Sequence, residues 1–263
     1  MNILLVHQYA LPPSSAGGTR HFALARRLVR MGHAVTVVAS RYSYSGTQTV
    51  SDVDEEMLDG VRFIWLDSGQ RGRSIPERAL NMVGFGRAVA RRMRALEAAG
   101  ETWDIIVTSS PAPFAALAAT IEAKRRKLPL VLEIRDLWPL SARDLAGWSD
   151  WHPGWLLLRQ VEKYLYRSAD QIVTLLPGSE GWISASGGDP RRMAVIPNGV
   201  DAELAPEPAA MPRGDLFTFI FAGAHGVANG LDTLIRAAKI AAAKPGGSAS
   251  AFVCWETAPR RPN

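Results

Sequence analysis

Short, continuously apolar runs alternate along the chain with longer stretches whose apolar residues recur every three or four positions. Residues 2–6 (Asn-Ile-Leu-Leu-Val) form such a run, suited to a strand buried on both faces. Residues 7–19 follow as a loop with Pro12, Pro13, Gly17 and Gly18. Residues 20–30 read as a helix with Phe22, Leu24, Ala25 and Leu28 on its apolar face, stopped at Gly32. The next strands are 34–39 and 61–66, separated by the acidic segment 52–59. The alternation continues through helix 79–98, strand 103–108, helix 114–127 (ended by Pro129) and strand 130–134. Helix 154–167 and strands 171–175 and 193–196 complete this half. The pattern predicts an α/β fold, a Rossmann-like parallel sheet covered by helices. Residues 197–214 carry several prolines and no periodicity, as a linker does, and 216–222 open a second sheet. The expected partition is a Rossmann-like domain over 1–200, an interdomain linker over 201–214, the incomplete start of a second Rossmann-like domain over 215–243, and an aberrant tail over 244–263.

Composition changes this picture little. The net charge of +5 suggests an anionic partner, yet the arginines fall on the helices (Arg26, Arg27, Arg30, Arg87, Arg91, Arg92, Arg94) with no zinc pattern or stacking-aromatic motif beside them. Nucleic acid is therefore not expected. The charges read as solvated helix faces, or as attraction to anionic lipid or phosphorylated substrates. The single Cys254 excludes an internal disulfide framework and a Cys-rich metal site. The N-terminus lacks a signal-peptide pattern, and no apolar run reaches the roughly 20 residues that span a bilayer. A cytoplasmic protein is expected, with peripheral contact at the inner membrane face as an option.

Candidate chemistry gathers where strands end. His7 leaves the carboxyl edge of the first strand, where open α/β sheets bind ligands; a lone histidine there is otherwise a satisfied loop residue. Gly17 and Gly18 precede a helix, so backbone N–H groups there can approach an anion, with Arg20 adding a donor; the bland alternative is a turn and a cap. In Glu133-Ile-Arg135-Asp136-Leu-Trp138-Pro139 a buried strand ends in charges. Either Arg135 and Asp136 pair with each other, or one of them meets a sugar hydroxyl or phosphate. Trp148, Trp151 and Trp155, with Arg143, Arg159 and Lys163, read as core or as an interfacial membrane wedge. His225 and Asn229 flank the glycine loop of the second sheet, placed to meet a diphosphate or serving as ordinary loop residues.

Six segments in order carry a resemblance: residues 1–18, Gly32-His33-Ala-Val-Thr36-Val, Arg135-Asp-Leu-Trp-Pro139, Tyr166-Arg-Ser-Ala-Asp170-Gln-Ile-Val, Ile196-Pro-Asn-Gly-Val-Asp201, and Gly223-Ala-His-Gly226 with Gly230-Leu-Asp-Thr-Leu234. Together they resemble the retaining GT-B glycosyltransferases of the large bacterial capsule and O-antigen family (glycosyltransferase family 4-like), most of all its acetamido-sugar transferase branch. The resemblance implies two facing Rossmann-like domains and transfer from a nucleotide-sugar donor, a UDP-sugar by first expectation. The acceptor would be a saccharide or polyprenyl-linked, and neither a cofactor nor a metal is needed. It puts Gly17, Gly18, His225 and Asn229 at the donor phosphates, and His7, Arg20, Arg135 and Asp136 on the acceptor or sugar side. At His225 and Asn229 many relatives carry Arg and Lys, so this chain would stabilise a leaving diphosphate less. Where many relatives place a histidine this chain reads Thr108-Ser-Ser110-Pro, so the resemblance assigns no general acid or base.

The family's downstream paired-glutamate motif is absent, and residues 244–263 do not read as its next strand. Shifting the reading frame turns Cys254-Trp-Glu-Thr-Ala258 into Leu, Gly, Asp or Asn, and a codon compatible with Gly, which matches the family's strand end. The expectation is a frame shift between about residues 242 and 253, and a truncated chain that is weak or inactive alone. The alternatives are a non-catalytic fragment that keeps acceptor or membrane binding and, less favoured, a nicotinamide-dependent oxidoreductase, for which no compact G-x-G-x-x-G is present.

Overall fold

A computed structural model describes residues 1–12, 15, 19–42, 49–69, 74–199, 217–223, 225, 229–244 and 250–255. The chain divides into two compact units, Met1–Glu203 and Leu204–Asn263. The first is built on an eight-stranded sheet in the order β3-β4-β2-β1-β5-β6-β7-β8. Its strands are β1 (Asn2–Val6), β2 (Ala34–Ser40), β3 (Glu55–Leu58), β4 (Val61–Leu66), β5 (Ile105–Ser109), β6 (Leu130–Ile134), β7 (Gln171–Thr174) and β8 (Met193–Val195). Every pairing is parallel except β3 with β4. The expected Rossmann-like α/β fold is therefore present.

The helices α1 (Arg20–Arg30), α2 (Ile75–Ala98), α3 (Pro113–Arg126), α4 (Leu140–Ala146), α5 (Pro153–Ser168) and α6 (Glu180–Ala185) accompany the sheet. Two apolar layers result. Leu4, Val6 and Ile106 pack with Phe85, Val89 and Met93 of α2 on one face. Ile3, Leu5, Val35 and Val37 pack with Phe22 and Ala25 of α1 on the other. A third cluster joins β6 and β7 to α5.

Three departures from the sequence reading have local causes. The acidic segment contains β3, an antiparallel edge strand whose Glu55 and Glu56 face the partners Arg62 and the Trp65 indole. Helix α2 starts four residues earlier than expected, because Ser74 and Glu77 form a reciprocal capping box. The short helices α4 and α6 span only two turns or fewer, too short for a periodic signal.

Helices α2 and α3 approach closely at Gly86. A Cβ there would lie 2.6 Å from the Phe114 carbonyl oxygen, whereas at Gly84 it would meet only the Ser68 carbonyl oxygen at 3.5 Å. Alanine is the better helix former by about 1 kcal/mol, so the two sites separate propensity from packing. Gly84→Ala is expected to raise the urea midpoint. Gly86→Ala is expected to lower stability by about 1–3 kcal/mol, because the backbone carbonyl cannot yield without moving α3. Equal effects of the two substitutions on the midpoint would refute the close approach.

In the second unit, β9 (Phe217–Ala222) pairs in parallel with β10 (Ser250–Trp255), and α7 (Leu231–Ala242) follows β9. This corrects the reading that the tail lacks the second strand. Its Phe252, Val253 and Trp255 are aromatic or β-branched, which suits a strand, and the Phe252 ring stacks on Phe219 at 4.8 Å. No described residue of α7 is buried, and Phe217, Ile220 and Ile235 are exposed. The linker 201–214 lies outside the described residues.

Candidate functional site

Strand order reverses on either side of β1, with β2 on one flank and β5 on the other. A crevice opens at the carboxyl ends of the strands beside such a reversal, the usual ligand position in open α/β sheets. The residues that leave β1, β5 and β6 here are His7, Ser109–Ser110 and Glu133 to Asp136, and α1 brings Arg20 and His21 over them.

Glu133 is the centre. It is the penultimate residue of the otherwise apolar strand β6 and is only 5% exposed. Its Oε1 accepts from Arg20 Nε at 2.8 Å, and its Oε2 accepts from His21 Nε2 and Ser109 Oγ, both at 2.7 Å. Burial opposes ionisation of Glu133, but the His21, Ser109 and Arg20 hydrogen bonds prevail and hold its carboxyl far below the usual carboxylate range. Arg20 also donates from Nη1 and Nη2 to the carbonyls of Pro197 and Ile196 at 3.1 and 3.2 Å, so three of its five N–H groups tie the first turn of α1 to β6 and to the chain after β8.

The His21 ring stacks on His7 with centroids 4.1 Å apart. Burial lowers the pKa of both. For His7 the neighbouring His21 and Arg135 lower it further, and for His21 the Glu133 bond opposes the shift. Both rings are therefore neutral at physiological pH. Because Glu133 accepts from His21 Nε2, the buried Nδ1 of His21 keeps a lone pair, and it has no hydrogen-bond partner among the described residues.

Arg135 and Asp136 do not pair with each other among the described residues. Both backbone N–H groups donate to Ser110 Oγ, at 2.8 and 3.2 Å, which fixes the turn after β6. The Asp136 carboxylate accepts from Ser141 Oγ at the start of α4, while Arg135 Nη1 lies 3.1 Å from His7 Nε2. Asp136 also lines a small pocket walled by Pro111, Trp138, Pro139, Leu158 and Tyr166.

The structure thus brings His7, Arg20 and Arg135 into one cluster, with Asp136 on its rim. Gly17 and Gly18 lie outside the described residues, and His225 and Asn229 belong to the second unit. Sequence reasoning missed His21 and the central role of Glu133. The available signal was a carboxylate inside Leu-Val-Leu-Glu-Ile, where a buried charge demands partners. The tryptophans are mostly structural: Trp155 lies beneath Arg143 (4.8 Å) and Arg159 (5.5 Å), and Trp148 stacks on His152. Trp151 alone of the three is exposed, with Leu156 and Leu157 nearby in sequence. No described helix is long and apolar enough to cross a membrane.

Comparison with known proteins agrees with this architecture. No curated protein matches the chain in sequence. Sucrose-phosphate synthase from Thermosynechococcus elongatus superposes with a TM-score of 0.69 at 18% identity, covering 99% of this chain and 64% of its own. HepE from Anabaena, crystallised with UDP and glucose, gives 0.57 at 16%, covering 97% and 60%. The chain therefore spans less than two thirds of these neighbours, and at such identities they establish the GT-B-like fold alone. The family model of the glycosyl transferase 4-like domain matches residues 16–199, which include α1, Ser109–Ser110 and the whole Glu133 to Asp136 turn, and the chain accordingly belongs to that glycosyltransferase family.

Proposed function

We propose that this chain carries the acceptor-side domain of a retaining glycosyltransferase that moves a sugar from a nucleotide-sugar donor to a saccharide or polyprenyl-linked acceptor. The observation that carries the reading is the His7–His21–Glu133–Arg135 cluster at the strand reversal, all of which except His7 falls inside the segment matched by the family. HepE binds UDP and UDP-glucose, which favours a UDP-sugar as donor here. In this reading Gly17, Gly18, His225 and Asn229 serve the donor diphosphate. His7, Arg135 and Asp136 face the acceptor or the transferred sugar, with Arg20 and Glu133 as positioning residues. An acetamidohexose as the transferred group, and capsule or O-antigen synthesis as the setting, complete the proposal.

The chemistry suits such a site. Loss of a nucleoside diphosphate needs cationic or dipolar stabilisation of the leaving group rather than a redox cofactor. His225 and Asn229 supply less of it than two fixed cations, so slow transfer by this chain is part of the reading. Exposed Trp151, Leu156 and Leu157 support a second element, peripheral contact with a membrane that carries the acceptor.

Calorimetry with UDP, UDP-glucose and UDP-N-acetylglucosamine tests the reading. Saturable binding of a UDP species is expected, together with UDP release on adding a lipid-linked saccharide. Binding of a nicotinamide dinucleotide in place of all three would sink it.

A further inference from the structure

Among the described residues the cluster holds two fixed cations, Arg20 and Arg135, around the Glu133 carboxylate, with the Asp136 carboxylate on its rim. Arg20 and Glu133 are paired at 2.8 Å. Arg135 is left over: it is half-buried, its Nε is buried without a hydrogen-bond partner, and it forms no ion pair among the described residues. The contact it does make is unusual. His7 Nδ1 accepts from the Tyr9 backbone N–H at 3.1 Å, so the single proton of a neutral ring belongs on Nε2. A backbone hydrogen bond with Ser110 also favours a proton on the ring. Arg135 Nη1 stands 3.1 Å from the same Nε2, and a guanidinium has only donors. Arg135 Nη1 therefore faces a donor rather than an acceptor at His7.

An unpaired, partly buried cation facing another donor is costly unless an anion visits it. We propose that Arg135, resting on His7, is an oxyanion-binding site that takes one phosphate or carboxylate group of the acceptor-side ligand. The proposal rests on the acceptor-side reading above and narrows it to an acidic acceptor. The planar fork of Arg135 suits either group in a two-point contact. Burial already presses Arg135 below the usual arginine range, with Arg20 adding repulsion against the pull of Glu133, so an incoming negative charge relieves the site. The groups facing His7 are His21 from α1, Arg135 and Glu133 from the β6 end with Arg20 behind Glu133, and the Tyr9 ring, edge-on at 6.3 Å. A bound anion screens Arg135, which makes His7 easier to protonate, so anion binding should tighten as pH falls.

The test is an NMR titration of the full chain with inorganic phosphate and, separately, acetate, following the arginine Nε–Hε signals and the histidine ring nitrogens. A saturable shift of the Arg135 signal and of the His7 ring is expected. Arg135→Gln should weaken the affinity roughly tenfold or more, as loss of a charge-assisted contact does. Arg191→Gln, which alters an exposed pair with Asp189, should leave it unchanged. A stronger response to phosphate assigns a phosphate ester, and a stronger one to acetate a carboxylate. Because Arg135 has no ion partner among the described residues, Arg135→Gln should melt at the wild-type temperature or above it. A lower melting temperature, no saturable shift with either anion, or equal binding by Arg135→Gln would overturn the site. UDP that displaces phosphate from Arg135 would overturn its acceptor assignment. A chain that binds UDP but no anion at Arg135 keeps the glycosyltransferase reading and loses this one; anion binding without any nucleotide binding keeps the oxyanion site but overturns its assignment to a glycosyl acceptor.

Discussion

Glu133→Gln is expected to cost the first unit about 3 kcal/mol or more, the range for breaking one partner out of a buried ion pair. Three groups converge on this carboxylate, and each loses something different. Arg20 keeps its charge in a largely buried position and has only the Ile196 and Pro197 carbonyls left. The His21 Nε2–H and Ser109 Oγ–H can share one neutral amide oxygen at most, while the amide nitrogen adds two donors where only acceptors are wanted. A domain of this size has roughly 5–15 kcal/mol in total, so such a loss is a large share of it. Urea unfolding followed by fluorescence of the buried Trp65, Trp103 and Trp155 measures it. A loss below about 1 kcal/mol, the size of an exposed pair, would mean that Glu133 does not organise the crevice. Arg191→Gln provides the comparison, with no resolvable change expected from its exposed pair with Asp189.

That dependence explains what could and could not be read beforehand. The fold was legible because each central strand is a short apolar run and each long helix has a periodic apolar face, as in Asn2–Val6 and Arg20–Arg30. The place of the site was legible too, since ligands gather at strand carboxyl ends and His7 and Arg135 both stand there. Its wiring was not. His21 follows Arg20 in the chain, but its meaning comes from Glu133, 112 residues away, and from the His7 ring stacked on it. Likewise Arg135 and Asp136, adjacent and opposite in charge, look like a pair in one dimension. In the fold Ser110 Oγ holds both backbones, and the side chains turn to His7 and Ser141. Edge strand β3 was hidden for a related reason: its glutamates read as solvated until Arg62 and Trp65 appear opposite them.

The same cluster makes the first unit acid-sensitive, and the sign follows from the direction of each shift. His7 and His21 have folded pKa values below their ordinary value near 6.5, both chiefly through burial. Between that value and the folded ones the unfolded chain binds more protons, so stability falls as pH falls. It is complete above about pH 6.5 and declines below it, by up to about 1.4 kcal/mol per pH unit for each histidine. Glu133, whose folded pKa is depressed, acts in the same direction from its ordinary value near 4.5 downward, where the unfolded carboxylate takes up a proton that the folded one refuses. Urea midpoints measured from pH 7.5 to 4 should therefore bend downward near pH 6.5 and steepen below 4.5. His7→Asn should remove about half of the first bend, since one of the two buried imidazoles is gone. Glu133→Gln should shrink the second bend, to which Glu122 and Asp189 also contribute through their own depressed pKa values, and deepen the first, because His21 then loses the carboxylate that opposes its burial. Midpoints that stay flat from pH 7.5 to 5 would mean that both imidazoles titrate as exposed ones, and that the crevice is open to water in the unliganded chain.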